Sequence, residues 1–526
     1  MTTRAGTRPA DGRARWPALL LHERARPDAV RGRPYAWRLA VATVCFGAFM
    51  GQLDASIVTL TYGGLRQRFD ASPAAVEWVS LAYLLVLIAL LVPAGRLSDA
   101  HGRKLLYLYG FAVFTAASAV CGLAPSLLML VVFRGVQAVG AALMQANSVA
   151  LVTTSAPRER MRAALGVQAA AQALGLALGP TVGGVLVSTL GWRWVFGVNV
   201  PIGVLALVAG HYLLPRTRER RSSGGFDWPG LALLAAATGG GLLGVSAASG
   251  LPVPGWAVVA LFAVAAAAAW GFVVRQGRAR TPLLDLALVR GRTVSLGLVG
   301  ALSGYLVLFG PLVLVPVVLT GSGSSELITG LVLTALPAGF AAAATGGDRV
   351  LPRGLSDRGR CVLGAGVLTA ATAALLVVPL TAGLLAVVLA VVGLGLGTFT
   401  PANNAMIMAA IPRRSSGTGG GLVNMARGLG TALGVALVTL ALHLGERYGP
   451  AGGSLAGGTG AARWAAAVLV VAAAVAVAAA WFGPRAPGRR PDGNGDGGGT
   501  GAGDTDGAPG GSACAGTAPG EDAPQS

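Results

Sequence analysis

The sequence predicts an all-α integral membrane protein with fourteen membrane-spanning helices in two related halves. Of its 526 residues, 54% are hydrophobic and only 12% are charged, whereas an average soluble protein is about 25% charged. Runs such as 77–95, 256–274 and 463–482 are nearly free of charge, and about 20 apolar helical residues cross a hydrocarbon core of roughly 30 Å. Such runs recur along almost the whole chain, so the membrane prediction applies to the protein as a whole.

Fourteen apolar runs are candidate spans, and polar, Gly-rich or Arg-rich segments separate them. An even number of spans places both ends of the chain on the same side of the membrane. The candidate spans lie near 38–60, 76–95, 105–123, 126–147, 163–188, 194–214, 228–248, 256–275, 293–319, 327–347, 361–380, 382–404, 417–440 and 463–483.

Basic residues predict the orientation of the spans. Most of the 40 lysine and arginine residues fall in the two tails and the even-numbered loops. By the positive-inside rule, we expect a multi-pass protein of the plasma (inner) membrane with both termini in the cytoplasm. The net charge of +19 lies in short loops and tails without interleaved aromatic residues, which argues against nucleic-acid binding.

The spans divide the chain into five segments. Residues 1–37 form an arginine-rich cytoplasmic tail, 38–214 a first six-helix bundle, and 215–292 a linker that contains the inserted spans seven and eight. Residues 293–483 form a second six-helix bundle, and 484–526, rich in Gly, Asp and Pro, are expected to be disordered.

The sequence contains no motif for a metal, a cofactor or an enzymatic reaction. The four cysteines have neither metal-ligand nor disulfide-framework spacing, and the histidines are not paired at metal-ligand spacing. HExxH, GxSxG and Walker motifs are absent, and the loops are too short for a catalytic domain. We therefore expect no metal and no cofactor, and a membrane enzyme or sensor is the least favoured class of function.

Two segments of the chain recur in its second half. LSDAHGRK (97–104) and LSDRGR (355–360) lie 258 residues apart. Four further positions recur at a constant offset of 255 residues: Pro157, Gly166, Gly175 and Gly179 correspond to Pro412, Gly421, Gly430 and Gly434. Duplicated halves that flank a site at the membrane midplane are a common architecture of secondary transporters.

The loop between spans two and three carries the sequence GRLSDAHGRK. Acidic and basic groups this close together could form a charge network that breaks and reforms as two bundles rock. Ordinary cytoplasmic loop charge would explain Arg103 and Lys104, but it would not explain the acid or the glycines. The candidate gating residues are Gly95, Asp99, Gly102, Arg103 and Lys104, with Asp357 as the counterpart of Asp99 in the second half.

Several segments, in the right order on the right spans, resemble the motifs of the major facilitator superfamily. GRLSDAHGRK resembles its signature loop, LVVFRGVQAVGAA (130–142) its fourth-helix motif, and GLALGPTVGG (175–184) the fifth-helix motif of exporters. LDASIVTL (53–60) is similar to the first-helix motif of drug:proton antiporters, and WRWVFGVNVPIG (192–203) is typical of members with fourteen spans.

The resemblance covers about residues 38–440 and implies the major facilitator fold, in which two pseudo-symmetric six-helix bundles are joined by two inserted helices. It implies that Arg134 and Gln137 take part in proton coupling. The chain departs from the family pattern at Ala100, where an arginine is usual, and at Ala138, where a glycine is usual. The second copy of the loop motif is also shortened and lacks a lysine.

Asp54 is an acidic residue inside the first predicted span, in its outer half. Placing an aspartate within a bilayer costs roughly 2.5–3.5 kcal/mol on insertion scales, so we expect its carboxyl group to face a wet cavity. A bound proton or an organic cation could each neutralise it, and competition between the two would couple proton entry to substrate exit. The alternative is an acid at the outer headgroups.

Two arginines also lie within spans. Arg134 cannot lose its proton, so it either pairs with a carboxylate or backbone carbonyls near a coupling acid, or clamps two helices together. Arg427 occupies the repeat position of Gln172. It either lines the cavity near its cytoplasmic mouth or extends towards Arg413 and Arg414, and we favour the second interpretation.

The run GLALGPTVGG combines small residues and a proline in the fifth span. Gly175, Gly179 and Gly183 recur every four residues and so share one helix face, which allows another helix to approach closely. Pro180 permits a bend beside Gly183 and Gly184. We expect a tight seam that seals the path between the bundles, with Gly430 and Gly434 as its counterpart in the second half.

The favoured function is a proton-driven antiporter that exports amphipathic small molecules, including drugs, antibiotics or secondary metabolites, by alternating access. Cationic compounds are among the expected substrates, with the proton gradient as the energy source, the lipid bilayer as the surroundings and a monomer as the expected state. A facilitator or importer of a small organic solute is the alternative within the same fold.

Overall fold

The computed structural model describes residues 26–27, 33–217, 226–248, 254–352, 354–448 and 459–483. Within these ranges the chain is helical and contains no β-strand. The predicted disorder of 484–526 lies outside the described residues. Fourteen helices are long and apolar enough to cross a membrane, so the predicted number of spans is confirmed.

The spans are numbered α1 to α14 in chain order. Their helices are α1 (Ala36–Ile57), α2 (Pro73–His101), α3 (Arg103–Gly122), α4 (Leu127–Ser155), α5 (Met161–Thr189), α6 (Asn199–Leu213), α7 (Trp228–Ala248), α8 (Gly255–Arg278), α9 (Arg292–Phe309), α10 (Glu326–Val350), α11 (Asp357–Val377), α12 (Ala382–Ala410), α13 (Ser416–Tyr448) and α14 (Thr459–Phe482).

Shorter helical segments extend several of these spans. A 3₁₀ turn, Val58–Thr61, joins α1 to a further helix, Tyr62–Phe69, so the first span runs well past the predicted end at 60. The prediction stopped early because this extension contains two glycines and two arginines, although its backbone continues to coil. The other additions are Arg193–Gly197 before α6, Leu286–Arg290 before α9, Pro311–Gly321 after α9, and 3₁₀ turns at Arg158–Arg160 and Arg413–Ser415.

Helix packing repeats between the first six and the last six spans. Within the first set α1 packs on α5, and α4 packs on α2 and α3; within the second set α9 packs on α13, and α12 packs on α10 and α11. Across the two sets α2 packs against α13, and α5 packs against α10. Each contact within the first set recurs between the helices eight spans later, and the two contacts across the sets are equivalent to each other. This is the arrangement that the sequence repeat predicts.

The two contacts between the halves depend on matching glycines. A Cβ at Gly166 of α5 would collide with the carbonyl of Ala344 in α10, and a Cβ at Gly421 of α13 would collide with the carbonyl of Leu91 in α2. Gly166 and Gly421 are equivalent in the repeat, so the same close backbone approach occurs twice.

The inserted helices α7 and α8 pack on each other, and α7 also contacts α2 and α13. Asp227 precedes α7 and accepts hydrogen bonds from Arg275 Nε (2.7 Å), Gln276 Nε2 (2.9 Å) and the Gly230 amide (3.0 Å). Burial disfavours the charged form of Asp227, but these donors outweigh it and the pKa of Asp227 lies below its ordinary value. The two inserted helices are thus fastened together at one end.

Replacing Gly421 by valine should destabilise the contact between α2 and α13. Overpacking of this kind costs about 1–3 kcal/mol, so we expect a lower thermal unfolding midpoint for the purified protein in detergent. Gly366→Val is the matched control, because a Cβ at this helical glycine meets open space. Equal midpoints for the two variants would contradict the packing described here.

Candidate functional site

A buried ion pair lies at the centre of the first six spans. The Asp54 carboxylate is fully buried, and its Oδ2 accepts a hydrogen bond from Arg134 Nη1 at 2.6 Å. Its Oδ1 accepts from Gln137 Nε2 and from Asn199 Nδ2, both at 3.0 Å. The pair is surrounded by four spans: α1, α2, α4 and the start of α6. Asp54 accepts from three donors, which is the bonding pattern of an ionised carboxylate.

Arg134 is held on all sides as well. Its Nη1 also donates to Gln137 Oε1 at 2.7 Å, and its Nε donates to the Val79 carbonyl at 3.1 Å. The guanidinium lies 4.1 Å from the ring centroid of Tyr83 on α2, a cation–π contact. These contacts do not involve Asp54, so Arg134 keeps partners for its charge even when the carboxyl group is neutral.

Ser118 of α3 completes the group. Its hydroxyl accepts from Gln137 Nε2 at 3.2 Å and from Asn199 Nδ2 at 3.1 Å, and it donates to the Phe196 carbonyl at 3.0 Å. The two amides therefore bridge the carboxylate and the hydroxyl. Helices α1, α3, α4 and α6 all contribute side chains to one hydrogen-bond network. A change in the charge of Asp54 therefore affects hydrogen bonds on four of the first six spans.

The structure brings Asp54, Arg134 and Gln137 into contact, although the sequence singled them out separately, and it buries the carboxyl group that was expected to face a wet cavity. Asp54 faces neither a wet cavity nor the outer headgroups, because its exposed fraction is 0%. Because the first span extends to Phe69, Asp54 lies near the middle of that span, just inside its outer half. Sequence reasoning also missed Asn199, although a lone asparagine in the apolar sixth span is a signal for a buried polar contact.

Asp99 joins the two halves at one end of the molecule. It accepts from the amides of Gly417 and Thr418 at 2.8 Å each and from the Thr418 hydroxyl at 2.9 Å. These donors lie in the first turn of α13, where a carboxylate complements the helix dipole. Arg103 donates to Asp99 at 2.9 Å and to the Arg413 carbonyl at 2.7 Å. Asp99 and Arg103 therefore both form hydrogen bonds with the second half.

The other residues of this motif have separate parts. Lys104 Nζ donates to the carbonyls of His211 and Leu214 at 2.8 Å each, so it binds the end of α6 within its own half. Gly102 has φ 107°, a conformation that favours glycine. A Cβ at Gly95 would collide with the Gly417 carbonyl. Lys104 thus lies outside the predicted network between the halves.

Asp357 makes the matching contact in the second half. Its Oδ1 accepts from Arg162 Nη1 on α5 at 2.6 Å, and both side chains are about one-third exposed. Arg162 occupies the repeat position of Gly417, so the two acids contact equivalent places on α5 and α13. Exposed pairs are worth little, about 0–1 kcal/mol, which makes this contact easy to break.

Arg427 does not extend towards Arg413 and Arg414, so the favoured interpretation was wrong. Only 4% of Arg427 is exposed, its Nη1 donates to Asn424 Oδ1 at 3.3 Å, and its guanidinium lies 5.1 Å from the ring centroid of Tyr305. Hydropathy gives no information about rotation around the helix axis, and here the side chain points between the halves.

The glycine run of α5 forms a seam, but with a helix of its own half. A Cβ at Gly175 would collide with the Phe49 carbonyl, one at Gly179 with Ser56 and one at Gly183 with Ile57, all three on α1. Gly430 and Gly434 approach α9 in the same way. The expected tight seam is therefore present and joins α5 to α1, whereas the two halves meet at α2–α13 and α5–α10. Gly184 faces open space, and the side chain of Pro180 lies outside the described residues.

Comparison with known proteins identifies the family. The chain belongs to the major facilitator superfamily, whose family model matches residues 44–435. It is 33% identical over 428 residues to the tetracenomycin C resistance and export protein of Streptomyces glaucescens, covering 80% of this chain and 78% of that protein. It is 29% identical over 409 residues to the riboflavin transporter RibZ of Clostridioides difficile, covering 76% and 86%.

A solved structure supports the fold independently. The human organic anion transporter MFSD10 superposes with a TM-score of 0.61 at 16% identity, covering 84% of this chain and all of that one. The chain is therefore a multi-pass membrane transporter of this superfamily and not an enzyme.

Removing the Asp99 carboxylate should release the first turn of α13. We expect the Asp99→Ala protein to show faster amide hydrogen exchange over residues 416–420, by about tenfold or more if the lost bonds contribute about 1.4 kcal/mol. Asp285→Ala serves as control because Asp285 caps only the Ala287 amide. Unchanged exchange at 416–420 in Asp99→Ala would contradict this role.

Proposed function

We propose that this transporter is a proton-coupled antiporter that exports amphipathic small molecules by alternating access. The observation that carries the proposal is the Asp54–Arg134 pair, buried at the middle of the membrane and ringed by donors. A proton that reaches Asp54 removes its charge and weakens three hydrogen bonds at once. Arg134 then keeps Gln137, the Val79 carbonyl and Tyr83 as partners.

The energy of a proton is sufficient to open such a pair. A membrane potential of about 100 mV is worth roughly 2.3 kcal/mol per charge, and one pH unit adds about 1.4 kcal/mol. Breaking a buried ion pair costs about 3–5 kcal/mol, which is of the same size. One proton can therefore drive the opening of the pair or support a substrate gradient of roughly several hundredfold.

The packing offers a path from Asp54 to the contact between the halves. Asp54 lies on α1, and the glycine seam joins α1 tightly to α5. Helix α5 carries Arg162, which pairs with Asp357 on the second half. A shift of α1 on protonation would thus move α5 and loosen this weak pair, and the Asp99 contact with α13 would open in the same motion.

The side of the membrane follows from the basic loops. We propose that the loop with Asp99 and both termini face the cytoplasm of a monomer in the plasma membrane, so the structure is closed on its cytoplasmic side. Asp54 was the acid expected to attract a cationic substrate. Because Asp54 already accepts from three donors, it is better suited to exchanging a proton than to binding a cation directly.

Import or facilitated diffusion is the second candidate function, and the similarity to a riboflavin transporter keeps it open. The direction of substrate transport can be measured in everted vesicles, in which the cytoplasmic face of the membrane is on the outside. Accumulation of an amphipathic dye on acidification of the lumen supports export, whereas accumulation only in right-side-out vesicles supports import.

Asp54→Asn should abolish proton-driven export while the protein still folds, because asparagine keeps the shape of the side chain but cannot exchange a proton. Drug-susceptibility panels and dye transport in everted vesicles measure the loss. Asp70→Asn is the control, since Asp70 has φ 46°, a conformation that asparagine tolerates well. Equal gradient-driven transport by wild type and Asp54→Asn would exclude Asp54 as the coupling acid.

A further inference from the structure

Arg427 is a buried cation without an acidic partner among the described residues. Its hydrogen-bond partner is Asn424 on its own helix, and in the part of the chain that the structure describes its Nε has no partner. Arg134, at similar burial, has a carboxylate at 2.6 Å. An arginine cannot neutralise itself by losing a proton, and a charge inside a membrane is expensive unless it is paired.

The surroundings of Arg427 belong to both halves of the transporter. Tyr305 of α9, beneath the guanidinium, donates from its hydroxyl to Gln172 Oε1 on α5 at 3.1 Å. Asn424 donates to the Gln145 carbonyl on α4 at 2.8 Å. Gln172 and Arg427 are equivalent in the repeat, and Tyr305 contacts both of them. Substrate sites of transporters with repeats lie at such an interface near the midplane.

A second donor without a partner among the described residues lies on α5. Gln168 is one helical turn from Gln172 on α5, only 2% of it is exposed, and its Nε2 has no hydrogen-bond partner. Side chains four residues apart share a helix face. Unpaired buried donors are unfavourable, and both of these would be satisfied by a ligand that brings acceptor atoms.

We propose that the transported molecule carries an anionic group, such as a carboxylate, that pairs with Arg427 between the two halves. This inference rests on the proposed export function and names the substrate class of the same transporter. A structural clamp would direct the guanidinium to backbone carbonyls of a neighbouring helix, as Arg134 does with Val79. A cationic ligand would be repelled by the unpaired charge of Arg427.

Two dyes of similar ring size and opposite charge test the proposal. Fluorescein carries a carboxylate and an ionised phenol at neutral pH, and rhodamine 123 is a cation. Binding to the purified full chain in detergent is followed by fluorescence anisotropy. We expect wild type to bind fluorescein about tenfold more tightly than rhodamine 123, and Arg427→Gln to lose about that factor for fluorescein alone.

Arg427→Lys keeps the charge and should retain part of the fluorescein affinity, and Arg463→Gln, which removes an exposed arginine, should bind as wild type does. The dye preference of wild type decides the question even if Arg427→Gln fails to fold. Preference for rhodamine 123, no measurable fluorescein binding, or an equal loss of both dyes in Arg427→Gln would overturn the proposal.

The outcome is separable from that of the coupling proposal. Dye binding to purified protein needs no proton gradient, so the fluorescein preference of the wild type is measured independently of whether Asp54 couples transport to protons. Retained gradient-driven transport in Asp54→Asn together with selective loss of fluorescein in Arg427→Gln would refute the coupling role and uphold the substrate class. Loss of gradient-driven transport in Asp54→Asn without any preference of the wild type for fluorescein would uphold the coupling role and refute the substrate class.

Discussion

The structure depends on one constraint: a charge inside a membrane must have a partner, either within the protein or on a bound ligand. Asp54 and Arg134 satisfy each other at 2.6 Å, and Gln137, Asn199 and Ser118 complete the remaining bonds. Neutralising Asp54 would remove the ionic partner of Arg134, which would keep only its contacts with Gln137, the Val79 carbonyl and Tyr83. A proton is the smallest ligand that can alter this balance, which makes the pair suited to energy coupling.

The arrangement around the pair connects this local event to a global one. Helices α1 and α5 touch through backbone at the glycine seam, so neither can shift without the other. The contacts between the halves combine close backbone approaches at glycines with polar contacts, which are an exposed ion pair on one side and an acid at a helix N-terminus on the other. These polar contacts can break while the packing within each half is kept, which favours motion of the halves as rigid bodies.

Hydropathy and the repeat were sufficient to predict the fourteen spans and the pairing of equivalent helices. They also identified the residues of the ion pair, since a charge within an apolar run requires a partner. The rotation of each helix about its axis could not be predicted from hydropathy. The predicted direction of the Arg427 side chain was therefore wrong, and Asn199 was not recognised as a partner of Asp54. The partner of the glycine seam could not be predicted for the same reason: a strip of small residues specifies close approach but not to which helix.

The central claim is that Asp54 changes its protonation state as the transporter works. Difference infrared spectroscopy of the purified protein on acidification measures this directly, through the carbonyl stretch of a protonated carboxyl group. Our account predicts that wild type gains such a band, that Asp54→Asn lacks it, and that Asp70→Asn retains it. An identical band in wild type and Asp54→Asn would show that another group takes up the proton and would contradict the account.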